Sequence, residues 1–216
     1  MFYTPDMAKL VLVRHGLSAL NKTGQWTGWV DPDLVPEGEV QAKTTGKALT
    51  DIQFDYTYSN VFRRCRQTLK IVKKEIGQES VPTKLSWELN ERNYGDYTLK
   101  NKWQVKEEVG EDVFQKIRRS WDFPILNGES LKQVYKRAIP YYQEEIIPKL
   151  RDGKNVMVVS SGNALRALAK FIESIPDEKI GDLEIGTGEA YVYEIDSEGK
   201  MTAKEIRASN EKAGKV

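Results

Sequence analysis

The stretch VMVVSSGNALRALAK at residues 156–170 constrains the fold more than any other part of the chain. Its four leading apolar residues are typical of a strand buried on both faces, and the segment from Ala164 onward has helical composition. Only the small-residue turn SSGN separates the two. Turns of this kind bind ligands at the carboxyl ends of strands in α/β sheets, because the first N–H groups of the following helix have no intrahelical partner. The turn contains two serines and no strong acid, base or metal ligand.

Strands and helices alternate along most of the chain. Strands are predicted at 9–13, 54–60 and 156–159, with a half-buried edge strand at 190–196; helices are predicted at 37–49, 61–76, 130–150 and 164–170, with helical patches over 103–121. This order favours one α/β domain over residues 1–216, a three-layer sandwich whose mainly parallel sheet has helices on both faces. We expect residues 100–150 to form a helical cap, residues 1–6 a disordered extension and residues 201–216 a mobile tail.

Composition excludes several classes of protein. A net charge of +1 argues against bulk attraction to nucleic acid or to a membrane surface, and no apolar run approaches the roughly 20 residues that span a bilayer. The single cysteine, Cys65, excludes an internal disulfide and suits a reducing compartment. One histidine and one cysteine make a structural zinc site very unfavourable. We expect a cytoplasmic protein without metal, nucleic-acid or membrane partners. Composition does not decide between a monomer and a homo-oligomer.

The only histidine lies directly after the first strand, in VRHGLSALN at residues 13–21. When an imidazole is neutral it can attack phosphorus, and an adjacent guanidinium, here that of Arg14, can bind phosphate oxygens in a bidentate manner. Gly16 lets a backbone approach closely. From these residues alone, a packed histidine with one hydrogen bond is the alternative interpretation.

The LVRHG stretch resembles the motif of the histidine phosphatase superfamily, and TGQWTGWVDPDL at 23–34 resembles its cofactor-dependent phosphoglycerate mutases. Further matches follow in collinear order: SNVFRRCRQTL (59–69), LNERNYG (89–95), KNK (100–102), IRRSWDFP (117–124), GESL (128–131), SGNALRALAK (161–170) and TGEAYVYEID (187–196). The resemblance covers nearly the whole chain. It implies the fold of that family, a small anionic phosphorylated substrate, and 2,3-bisphosphoglycerate as the phosphoryl primer.

The resemblance also implies a role for individual residues. His15 would be the nucleophile that accepts the phosphoryl group, and Glu91 would be the general acid/base. The phosphoryl group and substrate would be held by Arg14, Ser18, Asn21, Thr27, Gly28 and Arg64, and the carboxylate or second phosphate by Arg92, Asn93, Tyr94, Lys102, Arg118 and Arg119. Gly162 and Asn163 would add contacts at a helix amino terminus. Multiply charged substrates suit such a set, since phosphoryl transfer depends on positioning and charge stabilisation.

The chain departs from the family pattern at Ser161, where the pattern has a second active-site histidine. Serine can donate a hydrogen bond but carries no positive charge, so we expect a loss of about 10²–10³ in rate, roughly 3–4 kcal/mol. Further departures are Leu17, Leu20, Asn93 and Thr98-Leu99, together with a short segment at 125–127.

Three hypotheses for function follow. The first is a phosphoglycerate mutase that acts through a phosphohistidine at His15, with activity reduced by Ser161. The second is a catalytically weakened paralogue that binds phosphorylated acids as a sensor or interaction module. The third is a phosphatase of the same superfamily, because a shortened lid would admit water to the phosphoenzyme.

Overall fold

One six-stranded sheet organises the molecule. The computed structural model describes residues 7–209. Its strands, in chain order, are β1 (Ala8–Arg14), β2 (Tyr56–Ser59), β3 (Thr83–Leu85), β4 (Val156–Ser160), β5 (Ala190–Ile195) and β6 (Met201–Arg207). The spatial order is β3-β2-β4-β1-β5-β6; the first four strands run parallel, and β5 pairs antiparallel with both β1 and β6. The sheet is therefore mixed, and the adjacent carboxyl ends of β1 and β4 lie in its parallel part.

Helices cover both faces of this sheet. They are α1 (Ala19–Lys22), α2 (Pro36–Lys47), α3 (Arg63–Glu75), α4 (Lys102–Val109), α5 (Glu111–Arg119), α6 (Leu131–Tyr141), α7 (Ile147–Arg151) and α8 (Gly162–Ile172). Short 3₁₀ turns occur at Trp87–Leu89, Gly95–Tyr97 and Ile180–Asp182. Local sequence sets several helix starts: Asn101 accepts two backbone N–H bonds at the start of α4, and Ser130 and Gln133 form a reciprocal capping box at α6.

Alternation along the strands divides the core into two halves. Leu10 and Leu12 of β1 face a cluster formed with α6, α7 and α8, and Val11 and Val13 face a cluster formed with α3 and the segment 49–54 that follows α2. All four side chains are fully buried. Each such burial contributes roughly 1.5–3 kcal/mol relative to exposure, which makes this two-sided packing the main source of stability. The predicted α/β three-layer sandwich is confirmed.

The cap over the sheet is narrower than the predicted 100–150. Helices α4 and α5 pack around Trp26 in a separate cluster with Val105, Phe114 and Ile117. Helix α6 instead packs in the sheet layer, where Ala138 and Ile139 join the main core. The cap therefore consists of α4, α5 and the loops that flank them.

The predicted helix over 130–150 is confirmed in extent, and its only departure from a regular α-helix is a π-helical turn. A π-helical turn at Tyr142–Ile146 separates α6 from α7. Pro148 follows immediately and has no N–H to donate to the carbonyl four residues earlier, so the regular hydrogen-bond ladder cannot continue through this turn.

The carboxyl-terminal part of the sheet also differs from the sequence prediction. The stretch 190–196 is not an edge strand, because β5 lies between β1 and β6 and is almost wholly buried. The predicted mobile tail is wrong for Met201–Arg207, which forms the edge strand β6. The exposed, polar side chains of β6 give no core-facing alternation by which the strand could be recognised. Residues 1–6 and 210–216, for which an extension and a tail were predicted, lie outside the described residues.

Candidate active site

The carboxyl ends of β1 and β4 open into a cavity of about 410 Å³. The loop after β1 and the start of α8 form its floor, and the cap elements close it from above. Most of the predicted site residues line it: Arg14, His15, Asn21, Thr27, Gly28, Arg64, Glu91, Tyr94, Lys102, Arg118, Arg119, Gly162 and Asn163. Residues that are far apart in sequence therefore meet in one place, as the motif order predicted.

His15 is 3% exposed and is held in a defined orientation. Its backbone N–H donates to the Ser160 carbonyl at 3.0 Å, which joins the ends of β1 and β4. Its Nδ1 lies 2.7 Å from the Gly16 carbonyl, an acceptor, so Nδ1 carries the proton and Nε2 retains its lone pair. Burial lowers the pKa of His15 well below its usual range, and the guanidinium groups of Arg64 and Arg14 lower it further. The ring is therefore neutral at physiological pH, with a lone pair on Nε2 that can act as a nucleophile.

Gly16 allows this loop to pack against the start of α2. A Cβ at Gly16 would lie 2.2 Å from the Gly38 carbonyl oxygen, and one at Gly38 would lie 2.1 Å from the Leu17 carbonyl oxygen. Only a pair of glycines permits so close an approach of two backbones. The Gly16 N–H donates to Thr68 Oγ1 at 3.0 Å, which further fixes the loop that carries His15.

Two arginines present donors beside His15. Arg14 Nη1 donates to the Ile185 carbonyl at 2.5 Å, and Arg64 Nη1 donates to the Val30 carbonyl at 2.9 Å. In each arginine, however, Nε is buried and has no hydrogen-bond partner. Thr27 Oγ1 is also buried without a hydrogen-bond partner. A buried unpaired donor costs about 1–3 kcal/mol, and a phosphate group, rich in acceptors, would satisfy all three.

Glu91 lies opposite in a fixed network. Its Oε1 accepts from the Arg92 backbone N–H at 2.7 Å and from Asn163 Nδ2 at 2.9 Å. Asn163 Nδ2 also donates to the Tyr94 hydroxyl at 3.0 Å. One carboxylate oxygen is thereby anchored to the start of α8, which leaves the other available for proton exchange with a ligand.

Part of the cavity wall is cationic. Lys102, Arg118 and Arg119 form it, from the starts and ends of the cap helices α4 and α5. Burial lowers the pKa of Lys102 to about 8, and Arg118 and Arg14 add to the effect. Burial and the neighbouring Arg119 also lower the pKa of Arg118. Positive groups held together out of water are unfavourable by themselves and become favourable when an anion binds.

Ser161 does not face the cavity. Its side chain is fully buried, and its Oγ lies 3.4 Å from Asn60 Nδ2, 3.4 Å from Arg64 Nη2 and 3.6 Å from Cys65 Sγ. Burial raises the pKa of the Cys65 thiol to about 11, so the thiol is protonated. The hydroxyl therefore supports Arg64 from behind and does not take the place of a second imidazole in the cavity.

Three further predicted residues are placed outside the cavity lining. Arg92 is 1% exposed; its Nη2 donates to the Ile117 carbonyl at 2.8 Å and its guanidinium stacks on Tyr94. The Asn93 carboxamide oxygen accepts from the Gly95 N–H at 2.9 Å within a turn. Ser18 Oγ donates to Asn21 Oδ1 at 2.9 Å, which leaves the Asn21 amide N–H groups for other acceptors. These three side chains contact neighbouring residues of the site, and direct binding of substrate by each of them stays a prediction.

Comparison with known proteins identifies the family. The model of the histidine phosphatase superfamily (branch 1) matches residues 10–207. The chain belongs to this superfamily. A 2,3-bisphosphoglycerate-dependent phosphoglycerate mutase of Enterococcus faecalis is 41% identical, over 92% of this chain and 98% of that protein. A 2,3-bisphosphoglycerate-dependent phosphoglycerate mutase 2 of Lactiplantibacillus plantarum is 40% identical with the same coverage. The resemblance to this group of enzymes is confirmed.

A solved structure agrees on the fold. The native mycobacterial glucosyl-3-phosphoglycerate phosphatase superimposes with a TM-score of 0.80 over 94% of this chain and 100% of that chain, at 19% identity. At this level of sequence identity the similarity supports the fold alone.

Sequence reasoning missed three charged residues that line the cavity, Lys22, Arg166 and Glu184. Arg166 of α8 is 5% exposed; it donates to Asn163 Oδ1 at 3.0 Å and to the Arg119 and Ile180 carbonyls at 3.1 and 2.7 Å. Glu184 pairs with Arg119. A lone arginine within the apolar helix sequence ALRALA was a usable signal, whereas nothing in the sequence around Glu184 indicates its place. The other missed lining residues are Leu17, Gln25, Trp26, Gln41, Ile185 and Thr187.

Among residues 7–209, no helix is long and apolar enough to cross a membrane, and no cluster of three His, Cys, Asp or Glu side chains could hold a metal ion.

Proposed function

We propose that this protein is a phosphoglycerate mutase that interconverts 3-phosphoglycerate and 2-phosphoglycerate through a phosphohistidine at His15. The observation that carries the proposal is the shared cavity: the neutral imidazole of His15 and the cationic part formed by Lys102, Arg118 and Arg119 line the same space, with Glu91 also on its wall. A ligand with phosphate at one end and carboxylate at the other matches this arrangement. The curated relatives at 40–41% identity bear the same activity in their names.

The first chemical step is a transfer of the phosphoryl group to His15. The Nε2 lone pair attacks phosphorus while the Nδ1–H stays bonded to the Gly16 carbonyl, which stabilises the positive charge that develops on the ring. The P–O ester bond breaks as the N–P bond forms. Arg14 and Arg64 stabilise the equatorial oxygens, and the departing alkoxide takes a proton from Glu91.

Glu91 then works in the opposite direction. As a carboxylate, it accepts the proton of the free hydroxyl of a bound monophosphoglycerate while that oxygen attacks the phosphohistidine, and the new P–O bond forms as the N–P bond breaks. The bisphosphate so formed returns its original phosphoryl group to His15 by the first step, with the proton that Glu91 has just accepted, so that the isomer is released and His15 stays charged. The Asn163 amide and the Arg92 N–H, both bonded to Oε1, keep the carboxylate in place for the two proton transfers. Positioning of this kind supplies most of the catalysis available to phosphoryl transfer.

The activity is expected to be low. No second imidazole is available, and the Ser161 hydroxyl is turned behind Arg64. Removal of one such donor costs about 10²–10³ in rate. A slow enzyme with a complete set of binding cations is the predicted result.

The residues fit 2,3-bisphosphoglycerate as the priming cofactor. The unpaired donors of Arg14, Arg64 and Thr27 would hold one phosphate, and Lys102 with Arg118 would hold the other. When bound, the cofactor supplies the phosphoryl group that charges His15. Glycolysis and gluconeogenesis as the metabolic setting and a cytoplasmic location belong to the same proposal.

A weakened paralogue that binds phosphorylated acids is the second candidate, and the orientation of Ser161 is the observation that favours it. The binding cations and the nucleophile persist, but the charge that would assist transfer does not. Tight binding of 3-phosphoglycerate with no turnover distinguishes this candidate from the first.

A coupled assay of 3-phosphoglycerate conversion, with catalytic 2,3-bisphosphoglycerate, tests the proposal. We expect slow turnover that disappears in His15→Ala, with circular dichroism showing that the variant is folded. Equal rates in both proteins would contradict the mechanism. Release of inorganic phosphate without 2-phosphoglycerate would identify a phosphatase instead.

A further inference from the structure

A carboxylate lies inside a cavity that is otherwise built for anions. Glu184 precedes β5 and lines the cavity beside Arg14, Lys102 and Arg118. Its carboxylate pairs with Arg119, one of the cations assigned above to the distal end of the substrate. The two side chains are 31% and 23% exposed, so the pair is only partly shielded from water.

The backbone beneath Glu184 is fixed from both sides. The Tyr191 hydroxyl, on β5, donates to the Glu184 carbonyl at 2.9 Å, and Arg14 donates to the next carbonyl, that of Ile185, at 2.5 Å. The Gly186 N–H donates to the Glu189 carboxylate at 2.6 Å. Glu184 is therefore presented to the cavity by a rigid segment, and only its side chain is free to turn.

Arg119 does not need Glu184 to hold its place in the fold. Its backbone carbonyl is bonded to the buried Arg166, and the end of α5 is also held by Arg92. The ion pair therefore involves only the guanidinium group of Arg119, which is the part that would contact a ligand. The Glu184 charge also reaches Lys102 and Arg118, where it opposes the lowering of each pKa by burial.

We infer that Glu184 is a specificity-determining residue: its carboxylate occupies the position on Arg119 that a second anionic group of the ligand would take. A ligand with a distal carboxylate or phosphate must displace Glu184 and then lie close to it, and like charges at that distance are unfavourable. A phosphomonoester whose distal end bears hydroxyl groups leaves the ion pair intact and can donate to the carboxylate. The site therefore accepts polyol phosphates with an uncharged distal end more readily than its cations alone would predict.

The inference rests on the proposed function only in placing the reacting phosphate at His15. It also adds a cause for low activity on phosphoglycerates that is independent of Ser161. The relevant quantity is the ratio of affinities for two ligands that differ only at the distal group.

Isothermal titration of the full chain with 3-phosphoglycerate and with glycerol 3-phosphate measures this ratio, because the two probes differ by a carboxylate against a hydroxymethyl group. Glu184→Gln keeps the shape of the side chain and removes its charge. We expect this variant to bind 3-phosphoglycerate about tenfold more tightly and glycerol 3-phosphate with nearly unchanged affinity.

Glu198→Gln is the matched control. Glu198 lies on the exposed turn between β5 and β6 and pairs with Lys200, and its substitution changes the net charge by the same amount. It should leave both affinities unaltered. Equal tightening of both ligands in Glu184→Gln, or an unchanged ratio, would overturn the inference. Glu184→Asn, with a shorter neutral side chain, should reproduce the shift in ratio if charge is the cause.

The outcome is independent of turnover. A chain that fails to isomerise phosphoglycerate can still show the shift in ratio, and an active mutase can fail to show it. Failure of this inference and failure of the proposed function are therefore separate results.

Discussion

Restoring a second imidazole at position 161 should restore rate, but only if space is made for it. Ser161 has no exposed surface, and its Oγ is enclosed by Asn60, Arg64 and Cys65 at 3.4–3.6 Å. An imidazole is too large for that enclosure. Overpacking of this kind costs about 1–3 kcal/mol, which corresponds to a melting temperature lower by about 2–12 °C for a domain of this size.

The replacement Cys65→Ala removes the sulfur nearest to this position. In Ser161→His with Cys65→Ala, the added ring gains room and can reach the phosphoryl group beside His15. One preorganised donor contributes about 10²–10³ in rate, so the double variant should exceed Cys65→Ala alone by at least about 100-fold. Ser161→His alone should show a smaller gain and the lower melting temperature. The two changes are in contact and should therefore couple in a double-mutant cycle.

The assay is conversion of 3-phosphoglycerate at saturating 2,3-bisphosphoglycerate, with melting temperatures of all four proteins of the cycle. A double variant that is stable but no faster than Cys65→Ala would refute the reasoning. Leu17 would then be the departure to examine, since it lines the cavity, whereas Asn93 lies outside it in a turn.

Two other perturbations test the positioning of the site. Arg166→Met removes the hydrogen bond to Asn163, the residue whose amide holds Glu91, and should lower kcat about 10–100-fold with a smaller rise in KM. If the role of Arg166 were purely structural, the variant would instead contain a smaller fraction of active enzyme, with KM and the pH profile unchanged. Arg166→Lys should restore part of kcat. Because the pKa of Lys102 is about 8, kcat/KM for 3-phosphoglycerate should fall as the pH rises through 8 and the side chain loses its charge. Lys102→Arg should extend the plateau to higher pH; an identical decline in both proteins would show that another group titrates.

The part of the site that follows β1 could be predicted because its residues are consecutive. A strand that ends in Arg14, His15 and Gly16 places these groups at a sheet edge whatever the rest of the chain does. Their chemistry also follows from residue type. The neutral state of His15 could not be predicted in the same way, because it depends on burial and on Arg64, which is 49 positions away in the sequence.

The sequence did not indicate which predicted site residues lie outside the cavity lining. Arg92 and Asn93 stand in the matching stretch LNERNYG, but one points to the carbonyls at the end of α5 and the other closes a turn. A motif records which residues belong together and does not state which way each side chain points. Arg166 shows the reverse case, since a charged residue in an apolar helix was assigned to no site.

Elements were missed where no core-facing pattern existed. Strand β6 carries exposed polar side chains and is held in the sheet by pairing with β5, a contact that leaves no trace in hydrophobic periodicity. The interruption between α6 and α7 depends on Pro148, whose lost hydrogen bond is absorbed by a π-helical turn. The position of Glu184 in the site likewise could not be predicted, because only the fold brings it to Arg119.

The central claim is that His15 accepts a phosphoryl group, and intact-mass analysis after brief incubation with 2,3-bisphosphoglycerate tests it most directly. The account predicts that the native chain gains the mass of one phosphoryl group, that acid removes it as expected of a phosphohistidine, and that His15→Ala gains nothing. The Ser161 chain should reach this state slowly but completely. An unshifted mass in the native chain at long incubation, with ligand binding demonstrated by titration, would contradict the covalent mechanism.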